Sequence, residues 1–292
     1  MRSRPTLRWA PGPEVLALEP GSADVGPVAD VVAGGQVVVL SGAGISTESG
    51  IPDYRGETGS LRTHTPMTYG DFAASESGRQ RYWARSHLGW RTIARAEPND
   101  GHRAVAALQA RGYLSGVITQ NVDGLHQAAG ARDVIELHGN LDRVICLQCR
   151  TTSAREVLDR RLRDANPGFE AEVTRINPDG DAELPTEAVG SFKLVDCTNC
   201  GGVLKPDVVF FGENVPKSRV ERCYRLIDNA SAVLVLGSSL TVMSGFRFVR
   251  HAAKSGTPVL IINQGLTRGD PYATHRINLP LGQALTELGE RL

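Results

Sequence analysis

Four cysteines in two short pairs are the residues best suited to metal chemistry in this sequence. Cys146 and Cys149 form the first pair, Cys197 and Cys200 form the second, and each pair encloses two residues. A two-residue gap folds into a knuckle that offers both sulfurs to one ion, so the pairs predict a structural, tetrahedral zinc site. The alternative is a redox or disulfide pair, but neither pair opens a helix after a strand. Cys223 stands alone and is expected to be a buried helix residue.

A glycine-containing turn follows the first apolar run and is suited to holding a phosphate. The turn, residues 41–47, reads SGAGIST. At the carboxyl end of a strand in an α/β sheet, glycines let backbone amides approach an anion closely. A dehydrogenase fingerprint would have a third glycine where Thr47 stands, so hydride transfer is disfavoured. The glycine pair alone is a weak signal, and a tight structural turn is the alternative.

Further polar side chains follow other apolar runs. Asn121 and Asp123 come after one run, and His138 directly follows another. Carboxylate and amide groups can bind a carboxamide, and a histidine titrates near neutral pH and can accept a hydroxyl proton. Structural roles are the alternatives: Asn121 and Asp123 can cap a helix, Asp53 can form a turn, and a single histidine is commonly structural.

The scaffold that must position these residues is predicted from the apolar runs. Short β-branched runs alternate with helical patterns, which is typical of a parallel sheet wrapped by helices. Each run is apolar enough for a central strand. The runs are 36–40, 114–119, 134–137, 232–236 and 259–262. Helices are predicted over HRAVAALQAR, which Asn99 or Asp100 can cap and Gly112 can end, and near residues 220–229.

The stretch between the cysteine pairs has a different composition. One helical stretch, SAREVLDRRLRD, is followed there by a segment rich in Pro, Gly, Asn and acidic residues that is typical of loops. The predicted fold is therefore α/β, with residues 25–140 and 205–292 forming a discontinuous Rossmann-like parallel sheet domain. A smaller zinc-binding module at 141–204 is inserted into it. Residues 1–24 are predicted to be a mobile N-terminal arm.

Composition disfavours several classes of function. The 292 residues include 32 Lys and Arg and 32 Asp and Glu, so no net charge holds the chain on nucleic acid or an anionic membrane, although a local basic patch is compatible with this balance. No apolar run approaches the roughly 20 residues that cross a bilayer, and the first residues lack the apolar stretch of a secretory signal. We expect a cytoplasmic protein, and the sequence gives no oligomeric state.

The block GAGISTESGIPDYR at residues 42–55 resembles the sirtuin family. Similar blocks follow in the family's order: TQNVDGLHQAAG (119–130), ELHGN (136–140), LKPDVVFFGE (204–213), LGSSLTV (236–242) and IINQG (261–265). The resemblance covers most of the chain from about residue 30 and includes the four-cysteine pattern. On these motifs the chain is identified as a member of the family.

The resemblance implies an enzyme that consumes NAD. Sirtuins transfer an acyl group from a lysine side chain to ADP-ribose and release nicotinamide, so the implied cofactors are NAD and zinc and the implied partners are acylated-lysine proteins. His138 matches the base that accepts the ribose hydroxyl proton. Asp53, Asn121 and Asp123 match residues that border the nicotinamide pocket, and Asn121 and Asp123 are counted with His138 as catalytic.

Other contacts are implied by position in the same motifs. The cofactor contacts are Gly42, Ala43, Gly44, Thr47, Asp53, Tyr54, Arg55, Gln120, Asn121, Val122, Asp123, Gly237, Ser238, Ser239, Asn263, Gln264, Gly265 and Leu281. Val208, Phe210 and Phe211 resemble the segment that pairs with substrate backbone and lines an apolar tunnel for the lysine stem. The alternative for these three is an ordinary buried strand.

The segment RQRYWARSHLGW at 79–90 most resembles class II sirtuins. Tyr82 and Arg85 are three residues apart on one face of a predicted helix. In the desuccinylase branch of the family, a Tyr and an Arg at this spacing grip the carboxylate of an acidic acyl chain. The resemblance thus implies a preference for glutaryl or methylglutaryl groups over acetyl, and a solvated, arginine-rich helix face is the alternative.

Two other functions would use the same features. Protein ADP-ribosyl transfer needs the same pocket and an external acceptor, and free acyl-ADP-ribose among the products would distinguish deacylation from it. A non-catalytic zinc adaptor that senses NAD is the second alternative, and the presence of His138 beside a complete nicotinamide pocket argues against it.

Overall fold

The computed structural model describes residues 10–54, 66–173, 175–185 and 189–292. Its strands are β1 (Val37–Ser41), β2 (Leu114–Thr119), β3 (Val134–Glu136), β4 (Gly139–Cys146), β5 (Thr152–Ala154), β6 (Arg175–Ile176), β7 (Ala182–Glu183), β8 (Leu204–Val208), β9 (Ala232–Leu236), β10 (Val259–Ile262) and β11 (His275–Ile277). Its α-helices are α1 (Pro13–Leu16), α2 (Gly26–Ala33), α3 (Tyr69–Ala74), α4 (Glu76–Ala94), α5 (Asp100–Ala110), α6 (Leu125–Ala128), α7 (Arg155–Ala165), α8 (Lys217–Asp228), α9 (Met243–Lys254) and α10 (Leu281–Arg291).

Six parallel strands form the main sheet, in the order β3-β2-β1-β9-β10-β11. This order confirms the predicted Rossmann-like parallel sheet, because the chain moves outward from β1 to β3 and then returns to the other side of β1. The reversal lies between β1 and β9. In open α/β sheets the crevice outside the carboxyl ends of the strands at such a reversal is where ligands bind.

Helices cover both faces of this sheet, and β1 shows the effect most clearly. All five of its residues are buried. Val37 and Val39 pack into one apolar cluster with residues of α2, α5 and α10, whereas Val38 and Leu40 pack into a second with residues of α8 and α9. Successive strand residues point to opposite faces. A strand covered on both sides is therefore apolar throughout, which is why this run could be recognised in the sequence.

The prediction that residues 134–137 form a central strand is wrong. They form β3, which lies at the edge of the main sheet and pairs only with β2 among the described strands. Ile135 is buried, but its neighbours Val134 and Glu136 are only half-buried. Leu137 is fully buried just after the strand. Counting it as part of the strand made the run as apolar as a central strand, which led to the wrong prediction.

A second, antiparallel sheet in the order β5-β4-β8 supports the cysteine pairs. Its central strand β4 begins at Gly139, immediately after His138, and ends at Cys146. The predicted helical stretch forms α7, which packs on this sheet through Leu158 and Leu162. The segment predicted to be a loop contains one small hairpin, β6 and β7. These elements give the chain the smaller metal-binding module of the predicted fold, although the boundaries at 140 and 205 stay a prediction.

Other local predictions can be followed in the described residues. Asn99 caps α5 with a capping box, and Gly112 follows the helix with φ +85°, as its sequence predicts. Cys223 is fully buried in α8. In the predicted N-terminal arm, Ser22 pairs with Ile277 at the end of β11. Among the described residues, no helix combines the length and apolar character that a bilayer crossing requires.

Candidate active site

Two glycine-containing turns meet at the reversal point of the main sheet. In the turn after β1, the Gly42 amide donates to the Leu236 carbonyl at 2.9 Å, and the Gly44 amide donates to the Gly237 carbonyl at 2.8 Å. A Cβ on Gly42 would lie 2.7 Å from that of Ser238, and one on Gly44 would lie 2.9 Å from the Gly237 backbone. Glycine is therefore required at both positions because the two turns lie in close contact. Together the turns form one wall of the crevice.

A hydroxyl links the two polar residues that follow β2. Ser46 Oγ donates to Asp123 Oδ2 at 2.7 Å and accepts from Asn121 Nδ2 at 3.0 Å. Asn121 Nδ2 also donates to the Gly42 carbonyl at 3.1 Å. Burial raises the pKa of the Asp123 carboxyl, against the lowering effect of a hydrogen bond from the Leu125 amide. Both side chains are therefore fixed beside the glycine turn by contacts within the protein.

His138 is held at the same edge of the sheet. Its Nδ1 lies 2.9 Å from the Gln120 carbonyl, and its Nε2 lies 2.7 Å from Ser244 Oγ at the start of α9. A carbonyl only accepts, so the proton sits on Nδ1, and the Nε2 lone pair accepts the Ser244 hydroxyl. Burial lowers the pKa of His138 to about 4, with the Arg219 charge adding to this and the Gln120 hydrogen bond opposing it. The imidazole is a neutral base at physiological pH.

A buried polar layer lies behind these residues. His126 Nε2 lies 2.8 Å from Ser41 Oγ, which donates to Thr119 Oγ1 at 2.9 Å. Thr119 Oγ1 in turn accepts from the Asn121 amide at 3.1 Å. The His126 ring stands 5.1 Å from that of His102. Burial lowers the pKa of His126 to about 3 and that of His102 to about 4, with the neighbouring His102 and Arg103 as further causes.

Most of the predicted cofactor contacts lie around this crevice. Gln120 Nε2 donates to Ser238 Oγ at 2.9 Å, Thr47 Oγ1 donates to the Gly44 carbonyl at 2.9 Å, and Asn263 directly follows β10. Six other predicted contacts lie in these turns or at the starts of the following elements: Ala43, Val122, Ser239, Gln264, Gly265 and Leu281. Asp53 and Tyr54 are half-buried, and Arg55 lies outside the described residues.

The predicted substrate segment runs beside His138. Val208 ends β8 and pairs with Gly139, and the Val209 amide donates to the His138 carbonyl at 2.7 Å. Phe211 packs edge-on against Tyr54, with ring centroids 6.1 Å apart. The Phe211 carbonyl accepts from the Tyr69 amide at 2.9 Å. Apolar side chains and strand backbone thus lie next to the His138 backbone, as is expected of a site for an extended peptide.

Tyr82 and Arg85 lie in α4, and neither is on a solvated helix face. Tyr82 is 3% exposed and packs against Phe210, with ring centroids 5.2 Å apart. Arg85 Nε donates to the Ala182 carbonyl at 2.6 Å and lies 2.9 Å from Asp181 Oδ1. Arg85 is therefore already paired with a carboxylate of the protein, in the hairpin that follows α7.

The four paired cysteines converge. Their sulfurs all lie within 4.8 Å of one another, with Cys146 Sγ 3.6 Å from Cys200 Sγ and Cys149 Sγ 3.8 Å from Cys197 Sγ. A tetrahedral ion with bonds of about 2.3 Å to sulfur separates its ligands by about 3.8 Å, so the arrangement fits zinc. Hydrogen bonds from Thr151 lower the pKa of Cys149 to about 5, which favours the thiolate that binds metal.

Sequence reasoning missed several residues that hold the site together. Ser46 lies inside the recognised block, yet its link to both Asn121 and Asp123 was not predicted. Ser244 and Arg219 were given no role, although one contacts the His138 ring and the other influences its pKa. A serine four residues beyond the SSL sequence gives no signal of its own, because its contact with His138 spans 106 positions.

Comparisons with known proteins agree with this geometry. The Sir2 family model matches residues 42–244. A Streptomyces coelicolor protein named NAD-dependent protein deacetylase 1 is 65% identical over 100% of this chain and 97% of its own length. A Mycobacterium avium protein of the same name is 50% identical over 93% and 97%.

Solved structures agree as well. One described as Sir2-p53 peptide-NAD+ has TM-score 0.73 and 30% identity over 91% of this chain and 98% of its own. One described as Sir2Tm bound to a propionylated peptide has TM-score 0.72 and 29% identity over the same shares. The fold, the site and these relatives together show that the chain belongs to the Sir2 family.

Proposed function

We propose that the chain is an NAD-dependent protein-lysine deacylase. It transfers the acyl group of a modified lysine to ADP-ribose and releases nicotinamide. The observation that carries this proposal is the His138 imidazole, fixed as a neutral base by the Gln120 carbonyl on Nδ1 and the Ser244 hydroxyl on Nε2. The relatives named NAD-dependent protein deacetylase support the reaction, and the cysteine cluster supports zinc as the second cofactor.

Each group of residues has a task in this proposal. When bound, NAD supplies the ADP-ribose that accepts the acyl group. Asn121 and Asp123 bind the carboxamide of the leaving group, because the Ser46 hydroxyl holds both against the glycine turn. His138 Nε2 accepts a ribose hydroxyl proton, and the Gln120 carbonyl stabilises the protonated ring that results. The zinc is structural, because four sulfurs fill its coordination shell.

The test is a product analysis with a matched pair of histidine variants. Incubation of the protein with NAD and an acetyl-lysine peptide should release nicotinamide and form free acyl-ADP-ribose, both measured by mass spectrometry. His138→Ala should lower the rate by about 100-fold or more, the usual contribution of a general base. His275→Ala, on the outer strand β11, is the control and should keep the rate. ADP-ribose attached to protein, with no free acyl-ADP-ribose, would favour the transferase alternative instead.

The acyl group is a finer part of the proposal. The class II resemblance and the Tyr82–Arg85 spacing support acidic groups of the glutaryl or methylglutaryl kind over acetyl. The ion pair with Asp181 opposes them, because a second carboxylate must displace the first from Arg85. We therefore expect Asp181→Asn to raise turnover of glutaryl-lysine relative to acetyl-lysine, with Asp164→Asn, at an exposed position of α7, as the control. An acetyl preference that Arg85→Ala leaves unchanged would end the idea.

A further inference from the structure

Two helices on one face of the main sheet carry an excess of positive charge. α8 and α9 together contain seven Lys and Arg and two Asp and Glu, although the whole chain is balanced at 32 of each sign. Between these helices lies a cleft of about 530 Å³. Its side chains include two tyrosines and four basic residues, and we call it the basic cleft: Tyr224, Arg247, Arg250, His251, Lys254 and Tyr272.

Of the four basic residues of the cleft, His251 alone pairs with a carboxylate of the two helices in the described structure. Glu221 pairs with Lys217 at 3.7 Å, and Asp228 lies 2.5 Å from His251 Nε2. Within the part of the chain that the structure describes, no carboxylate forms an ion pair with Arg250 or Lys254, and both residues are exposed. Cations in the last turn of a helix complement its dipole, which accounts for Lys254. The dipole does not account for Arg247, which lies two turns earlier.

The basic cleft begins close to the catalytic histidine. Helix α9 starts at Met243, and Ser244 Oγ lies 2.7 Å from His138 Nε2. Arg247, Arg250 and Lys254 follow on the same helix, about 5 to 15 Å from Ser244 along the axis at 1.5 Å per residue. An extended polypeptide covers this distance in about two to five residues. A peptide whose modified lysine is at His138 can therefore place its neighbouring residues in the cleft.

We propose that the basic cleft binds an acidic segment of the acylated protein substrate, a few residues away from the modified lysine. This proposal rests on the proposed deacylase function. Arginine presents a fork of donors that matches a carboxylate, and the tyrosine hydroxyls can donate further hydrogen bonds. An acidic peptide is favoured over nucleic acid because the cleft lies along the helix whose first turn contacts His138, while the chain as a whole carries no net charge to attract a polyanion.

The experiment compares two acetyl-lysine peptides that differ only in Glu or Gln at the second to fifth positions on both sides of the lysine. With wild-type protein, kcat/KM for the Glu peptide should be about tenfold higher at low salt, through KM rather than kcat. The preference should weaken in 0.5 M salt, which screens exposed charges. The double variant Arg250→Glu and Lys254→Glu should abolish the preference while the Gln peptide is still turned over, which also shows that the variant folds.

The control is an equal charge change elsewhere, Arg95→Glu with Arg132→Glu, both exposed; it should keep the tenfold preference. Equal turnover of the two peptides by wild-type protein, or a preference that the Arg250 and Lys254 variant retains, would overturn the proposal. Binding of a single-stranded oligonucleotide that needs Arg250 and Lys254 and that the Glu peptide cannot displace would also overturn it. Failure to turn over either peptide would count against the deacylase function itself.

Discussion

The buried His126 should make the stability of the protein depend on pH in a measurable way. Its folded-state pKa of about 3 lies below the value of about 6.5 that an unfolded chain shows. Between these values the unfolded state binds more protons than the folded state, so stability falls as the pH falls. The contribution is fully present above pH 6.5 and is lost progressively toward pH 3.

The size of the effect follows from this window. Each pH unit between the two pKa values costs about 1.4 kcal/mol per histidine, so lowering the pH from 7.5 to 5.0 costs about 2 kcal/mol for His126. His102 and His138 add costs of similar size, because burial also lowers their pKa to about 4. His126→Gln removes one of the three costs and keeps a donor for the Ser41 hydroxyl.

The assay is urea unfolding of wild-type protein and His126→Gln at pH 7.5 and 5.0. Wild type should lose about 2 kcal/mol more of its unfolding free energy than the variant over this interval. A packing defect in the variant cancels in this double difference, as does protonation of the zinc ligands. His275→Gln, on β11, is the matched control and should follow wild type. Equal losses in wild type and His126→Gln would refute the reasoning.

Three further predictions concern the site and its scaffold. The kcat/KM for an acetyl-lysine peptide should change less than twofold between pH 7.5 and 6.0, because a His138 pKa of about 4 leaves the base neutral, whereas an unshifted histidine would lose about fourfold. Cys197→Ser should lower the zinc content measured by elemental analysis and reduce activity indirectly; retained zinc with full activity would contradict a structural role. Gly44→Ala should lower the unfolding free energy by about 1–3 kcal/mol, since its Cβ would lie 2.9 Å from the Gly237 backbone; Gly289→Ala, in α10 with nothing within 4 Å of the added Cβ, is the control and should not destabilise.

The parts of the fold that the sequence predicts are those whose signal is local. The runs that form β1, β2, β9 and β10 are apolar on both faces, so their burial is visible in their composition. Strand β4 mixes buried and half-exposed residues and pairs with β8, some 60 positions away. Its place in a second sheet therefore could not be read from its own residues.

The candidate site divides in the same way. The cysteine knuckles and the glycine turn each lie within a few residues, and their spacing carries the chemical signal. The partner of Arg85 is Asp181, which lies 96 positions away in a segment with loop-like composition. The sequence of helix α4 therefore reveals the arginine but not the carboxylate with which it pairs. The His138 tautomer likewise depends on the Gln120 carbonyl, which no residue type specifies.

Gly139 directly follows His138 and begins β4, the central strand of the second sheet. It has φ +87°, and a Cβ there would lie 1.9 Å from the Asp207 carbonyl oxygen of β8, so no other residue type fits without moving β8 away from β4. Because His138 directly precedes β4, a tilt of the cysteine-bearing sheet would also move the imidazole. Metal binding at Cys146, the last residue of β4, would then influence the position of the His138 ring at the other end of the strand.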